Sequence, residues 1–183
     1  MKVLGLYAGK ARLLGDREKM SAIEKLPVAS AMLKTLGLEG DEQADLVNHG
    51  GPRQALHQFS EASYEQLRAG FPEIADRFTP GTIGENITIS DMSDDNVYLN
   101  DVYQIGDAVQ VKVTRPRRPC WKVDSRYAKE GVTKFLFQRP ITGWYYGVLT
   151  EGVINVGDTV TLVSRDENAL SVGEAWLTKA FEK

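Results

Sequence analysis

Short apolar runs alternate with polar, glycine-rich breaks along most of this 183-residue chain. Val3 to Tyr7 reads as a first strand, and a polar stretch follows from Gly9 to Ser21. Val28 to Leu36 has apolar spacing that suits a helix and a strand about equally, and Gly37 with Gly40-Asp41 stops either one. Ser60 to Gly70 predicts a helix: Ser60 is the N-cap, Tyr64 and Leu67 form the apolar stripe, Gly70 ends it and Pro72 opens the next turn. His57 is placed at the start of that helix or just ahead of it. From Gly81 to Arg165 the texture is mostly β, with strands predicted at Ile87 to Ile89, Val97 to Leu99, Val109 to Val113 and Val160 to Val163. Phe135 to Phe137, between Gly131 and Pro140, predicts a short helix. Ser171-Val172-Gly173-Glu174 is a capping-box pattern ahead of Trp176, Leu177, Ala180 and Phe181, so a final amphipathic helix is expected. Ile105-Gly106-Asp107 and Val156-Gly157-Asp158 each precede an alternating strand. They read as recurrent turn chemistry, with a functional role for Asp107 or Asp158 as the alternative. The pattern describes a mainly β domain with a few helices, arranged as a closed or nearly closed barrel.

Composition narrows the function classes. The chain is 42% hydrophobic and 26% charged, which is ordinary for a folded domain. A net charge of -3 argues against a general nucleic-acid binder. No stretch approaches the ~18 apolar residues of a membrane span, and the start lacks a signal-peptide pattern. Neither nucleic acid nor a membrane is therefore an expected partner. The single cysteine, Cys120, excludes an internal disulfide and any multi-cysteine metal site. A lone thiol fits a reducing compartment, so a cytoplasmic location is expected.

Candidate chemistry concentrates around that thiol. Between Arg115 and Arg126 there are five basic residues against one acid, Asp124, in a chain whose total is negative. Nearby cations favour the thiolate, which is both a nucleophile and a metal ligand. Pro116 and Pro119 stiffen the approach to Cys120, and arginines at this density suit phosphate or another oxyanion. The plainer reading is a buried cysteine beside a solvated basic loop. Asn48-His49-Gly50-Gly51-Pro52-Arg53 puts an imidazole beside bare backbone able to face an anion. Gly84-Glu85-Asn86 enters a strand with a carboxylate and an amide. Each of these two also reads as an ordinary loop or turn.

Taken in order, these segments resemble the MOSC family, the domain of molybdenum-cofactor sulfurase C-termini, and within it the small stand-alone YiiM-like branch. The matching text is Ser21-Ala22-Ile23 with Lys25 and Pro27-Val28, then Gly37 to Asp45, His49-Gly50-Gly51-Pro52, Gly84-Glu85-Asn86, Pro116 to Cys120, Gly143-Trp144-Tyr145-Tyr146 and Gly157-Asp158. The resemblance covers nearly the whole chain and favours a strand for Val28 to Leu36.

The resemblance implies a MOSC-type closed β-barrel over residues 1–168, followed by a C-terminal helix, 169–183, as the remnant or start of a three-helix extension. It implies a molybdenum cofactor of the molybdopterin form, with Cys120 as metal ligand and catalytic residue. Soft thiolate suits such a metal. Lys19 and Ser21 occupy the region where related eukaryotic proteins hold the cofactor with a Lys-Ser pair. Asp41, Gly50, Gly51, Glu85, Asn86 and Arg117 complete the expected cofactor-binding set. His49 is the expected proton donor, because an imidazole delivers a proton near neutral pH. The implied activity is reduction of N-hydroxylated compounds such as hydroxylaminopurine bases, a detoxification. The chain has no Cys-x-x-Cys and no nucleotide fingerprint, so electrons are expected from a separate reductase. A homodimer is compatible with the family. The alternatives are a sulfur carrier using a Cys120 persulfide and a non-catalytic carrier of the cofactor.

Overall fold

The structure is a computed structural model that describes residues 1–14, 19–44 and 50–182. Among them run strands β1 (Val3–Ala8), β2 (Arg12–Leu14), β3 (Lys19–Ser21), β4 (Leu26–Val28), β5 (Ser30–Lys34), β6 (Gly37–Leu38) and β7 (Leu56–Gln58). Helix α1 (Glu61–Gly70) and a 3-10 segment, Pro72–Arg77, follow, then β8 (Ile87–Ile89), β9 (Val102–Ile105) and β10 (Val109–Pro116). Helices α2 (Lys122–Tyr127) and α3 (Val132–Phe137) lead to β11 (Trp144–Thr150), β12 (Gly152–Asn155), β13 (Val160–Ser164) and α4 (Val172–Thr178). Among the described residues no helix is long and apolar enough to cross a membrane.

The main sheet runs β13-β9-β10-β11-β7-β8-β1-β4, with β12-β5-β6 as a smaller sheet and β2-β3 as a hairpin. Its neighbours pair antiparallel except β7 and β8, which are parallel. Alternation explains β10: Val109, Val111 and Val113 point into the core while Gln110 and Lys112 are less buried. A register shift between Val113 and Arg115 breaks that alternation just before Arg117. Such a bulge re-aims the side chains beyond it. One core lies against the main sheet around Leu6, Leu56, Ile87, Val111, Trp144 and Tyr146. A second, formed by Phe59, Tyr64, Leu67, Phe78, Val123, Tyr127 and Leu136, sits under α1, α2 and α3.

The expectation of a closed barrel needs correction, because the sheet is open. Where the chain start approaches β13 there is one bridge, Lys2 to Thr159, with the Val3 N–H donating to the Asp158 carbonyl at 2.9 Å, the Gly157 N–H to the Val3 carbonyl at 2.8 Å and the Val160 N–H to the Met1 carbonyl at 3.0 Å. A strand has two edges. β8 pairs one edge of β1 from Val3 to Leu6, and β4 takes the other edge from Leu6 to Ala8. β13 is paired with β9, and the contact of its leading turn with the chain start is limited, among the described residues, to residues 1–3.

Val28 to Lys34 is extended, divided between β4 and β5, as the resemblance implied, and Thr35-Leu36 turn the chain into β6. Val97 to Leu99 is not a strand. It makes a single bridge, Tyr98 to Ser171, and the Asp101 carboxylate takes the Tyr98 N–H at 2.9 Å, folding the segment into a turn with Asn100 at φ 69°. Asn tolerates that left-handed conformation. His57 precedes α1 and lies within β7, and α2 was not anticipated. The Gly-Asp repeats are turns: Gly106 and Gly157 have positive φ, and the Asp158 carboxylate accepts the Asn155 N–H at 2.8 Å. The capping box of α4 is present in full, Glu174 N–H to Ser171 Oγ at 3.1 Å and Ser171 N–H to Glu174 Oε2 at 2.9 Å. Ser171→Ala is expected to cost about 1 kcal/mol in a denaturant melt.

Candidate functional site

A cavity of about 620 Å³, open solvent included, lies beside Cys120. Its wall is assembled from distant segments. Ser21, Ala22 and Ile23 come from the end of β3, and Lys25 precedes β4. Asp41 to Ala44 follow β6, while Gly50 and Gln54 lead into β7 and His57 stands on it. Gly84 and Asn86 precede β8, Arg117, Cys120 and Lys122 follow β10, and Tyr145 stands on β11.

A polar network centred on Asp41 braces one side. The Lys25 ammonium donates to Asp41 Oδ1, and both side chains are nearly inaccessible to solvent. Oδ1 also accepts the Gly9 N–H at 2.8 Å, and Oδ2 accepts from Asn86 Nδ2 at 2.9 Å. Asn86 then accepts the His57 N–H at 3.2 Å and donates to the Tyr7 carbonyl at 3.3 Å. Burial pushes the Lys25 ammonium below its usual pKa range, against the pull of Asp41. Asp41 thus joins the loop after β6 to the entries of β2, β4 and β8.

The opposite side carries the thiol and its cations. Arg117 is buried. Its N–H donates to the Gly143 carbonyl at 2.9 Å and its Nη2 to the Ile83 carbonyl at 3.2 Å. Its Nη1 is buried without a hydrogen-bond partner among the described residues. An unsatisfied guanidinium nitrogen is costly unless a ligand completes it. Cys120 is free and half-buried. The positive island does not act as one. Arg117 and Lys122 face the cavity, Arg115 lies over the Phe181 ring, and Arg126 reaches Glu24 at 3.5 Å. Burial raises the Tyr145 phenol above its usual pKa, with Arg117 pulling it down, so the phenol stays neutral near pH 7. The Tyr145 and His57 rings are 5.2 Å apart.

Of the expected cofactor-binding residues, the cavity gathers Ser21, Asp41, Gly50, Asn86 and Arg117 together with Cys120. Lys19 is exposed on β3 and does not line it, and neither does Gly51. Glu85 does not line it either. Its carboxylate is turned into the second core, accepting from the Tyr64 hydroxyl and the Gly81 N–H, each at 2.6 Å, and from the Ile83 N–H at 3.2 Å. Glu85 therefore shapes the loop that holds Asn86 and Arg117. His49 lies outside the described residues. Lys25, His57, Lys122 and Tyr145 were absent from the expected set. Lys25 and Tyr145 stood in the text that carries the resemblance and Lys122 in the basic island, but nothing in their local spacing marked them as cavity residues.

The turn that carries Tyr145 has its own buried acid. Asp94 accepts the Gly143 N–H at 2.9 Å and the Ser63 hydroxyl at 3.1 Å, and the Gly143 carbonyl in turn holds Arg117. Burial pushes the Asp94 pKa up to about 7 from the ordinary 3.8. Between those values the unfolded chain releases the proton that the folded chain keeps, so stability falls as pH rises from about 4 to about 7 and is level above. Asp94→Asn removes this dependence. In urea melts at pH 5 and pH 8, the variant is expected to gain on the wild type by a few kcal/mol between the two, because each tenfold difference in proton affinity between the folded and unfolded chain is worth about 1.4 kcal/mol. Equal differences at both pH values would contradict it.

The fit to a cofactor with a soft metal and a phosphate is direct. A free thiol, an incompletely satisfied arginine and a lysine face one cavity, opposite a rigid polar wall. The comparisons with known proteins point the same way. Residues 45–161 match the family model of the MOSC domain. The protein YiiM of Escherichia coli (strain K12) is 35% identical over 161 residues, covering 87% of this chain and 71% of YiiM. A protein named Reductase from Gibberella moniliformis is 39% identical over 129 residues, 70% of this chain but 23% of that longer protein. The crystal structure of YiiM from Geobacillus stearothermophilus superposes with a TM-score of 0.78 at 28% identity, covering 99% of this chain and 84% of that one. With fold, cavity, family match and relatives in agreement, this chain belongs to the MOSC domain family.

Proposed function

We propose that this protein holds a molybdopterin-type molybdenum cofactor in the Cys120 cavity and reduces N-hydroxylated compounds such as hydroxylaminopurine bases. The observation that carries the reading is a buried arginine, Arg117, whose Nη1 has no hydrogen-bond partner among the described residues, lining the same cavity as the chain's one thiol. The MOSC match and the reductase-named relative support an oxidoreductase of this kind. When bound, the cofactor supplies a metal centre that accepts oxygen and exchanges two electrons. The net change is N–OH plus two electrons and two protons to N–H plus water, with a separate reductase as electron donor.

The chain's own residues have distinct tasks. Cys120 offers a soft thiolate to the metal. Arg117 and Lys122 meet the phosphate end, where a guanidinium forms charge-assisted hydrogen bonds. The Asp41–Lys25–Asn86 network holds its side of the cavity in one geometry. Tyr145 and His57 form the aromatic wall. His49 is the proposed proton donor, adjacent in sequence to the cavity-lining Gly50. A reducing, cytoplasmic setting belongs to the same proposal.

The test is purification from hosts with and without cofactor biosynthesis, followed by molybdenum analysis and an assay with an N-hydroxylated purine. About one molybdenum per chain with turnover supports the reading. Metal without turnover on any N-hydroxylated substrate replaces it with a cofactor carrier. A persulfide on Cys120 without metal replaces it with a sulfur carrier.

A further inference from the structure

Cys120 ends the rigid Arg-Pro segment, yet prolines alone do not fix which way its side chain leaves the backbone. What holds the residue is its carbonyl. The Cys120 oxygen accepts the Val123 N–H at 3.0 Å and, from thirteen residues away, the Thr133 hydroxyl at 3.1 Å. Thr133 is itself gripped. Its N–H donates to Asp124 Oδ1 at 2.6 Å, and Asp124 Oδ2 accepts the Gly131 N–H at 3.3 Å. Asp124 sits in α2 four residues after Cys120, and Thr133 sits in the first turn of α3. The links form a closed circuit: Cys120 through α2 to Asp124, across to Thr133, and back to the Cys120 carbonyl. Both helices are anchored in the second core, through Val123 and Tyr127 on one and Val132 and Leu136 on the other. The circuit therefore ties the thiol to a fixed reference.

We infer that Thr133, held by Asp124, is a positioning residue that sets the orientation of Cys120 through its carbonyl. The inference rests on the proposed role of Cys120 as metal ligand. Thr133 does not line the cavity, so it acts on the thiol only through the backbone. Partners outside the coordination sphere orient a ligand and tune its hold on the metal. Here the lever is the peptide group of the ligating residue. Thr133→Val keeps the shape and removes the hydroxyl, while Thr133→Ser keeps the hydroxyl and removes the methyl.

Because Cys120 is the chain's only cysteine, its reaction with iodoacetamide reports on one atom. The first readout is the alkylation rate of metal-free protein, well below its melting temperature. Thr133→Val is expected to react roughly threefold to tenfold faster than the wild type, the effect of losing one hydrogen bond, and Thr133→Ser within about twofold of it. Thr133→Ala, which deletes the hydroxyl with less crowding, should match the valine variant. The second readout is molybdenum remaining on cofactor-loaded protein after dialysis, where the valine variant should lose metal about tenfold faster and the serine variant should not. Two results overturn the inference. One is a valine variant alkylated at the wild-type rate, with only its melting temperature lowered, which assigns Thr133 to the stability of α3. The other is a serine variant as fast as the valine. Should wild-type protein hold no molybdenum, the cofactor reading fails, and the alkylation rates still decide whether Thr133 orients Cys120.

Discussion

Cys120→Ser is expected to abolish molybdenum retention and to leave the fold unchanged. A serine hydroxyl is a hard oxygen donor, where a cysteine thiolate is a soft sulfur donor that suits the metal. The surroundings tolerate the exchange. Cys120 is half-buried and in no disulfide, and the bonds that hold it run to its backbone carbonyl, which serine retains. A substitution of this kind stays within about 0.5 kcal/mol, or about 2 °C in melting temperature for a domain this size. Elemental analysis of wild type and variant from the same host should show at least about a tenfold fall in metal per chain. A variant that keeps its molybdenum shows that the ligand is another residue.

The largest effect on stability is expected at Asp41. Asp41→Ala leaves the Lys25 ammonium buried without its counter-charge and strips the acceptor from the Gly9 N–H and Asn86 Nδ2. Removing one partner of a buried ion pair costs about 3–5 kcal/mol, because the remaining charge stays desolvated. Lys25→Met is expected to cost less in isolation, since Asp41 keeps two hydrogen-bond donors. The combined Asp41→Ala, Lys25→Met variant should recover part of the loss by removing the stranded charge. Urea denaturation of the four proteins measures each step. If Asp41→Ala loses less than about 1 kcal/mol, the pair is solvated and does not brace the cavity.

Local signals were legible where the local chain decides. Ser60 and Ser171 marked the starts of α1 and α4 because a cap is made within three residues. The alternation of Val109, Val111 and Val113 marked β10 because one face of that strand is buried. Val97 to Leu99 misled because its apolar residues suit a strand, while the Asp101 carboxylate and Asn100 fold the same residues into a turn. α2 escaped because only Val123 and Tyr127, one turn apart, give it an apolar face. Glu85 showed a carboxylate at a strand entry. Only the packing of Tyr64, Gly81 and Ile83 around it shows that its oxygens are already occupied.

The sequence by itself determined the mainly β texture, the helix caps, and a single thiol set among prolines and arginines. Those depend on residue type and short spacing. Which cations meet the thiol was decided by the tertiary structure: beyond the register shift at Val113 and Arg115, Arg117 turns to the cavity while Arg115 lies over Phe181. The tertiary structure also decided that Lys25 joins Asp41 and Asn86, and that the sheet stays open once β4 and β8 hold both edges of β1. Side-chain direction follows from register and bulges, and burial follows from contacts between distant segments. Neither is encoded within the few residues that a motif spans.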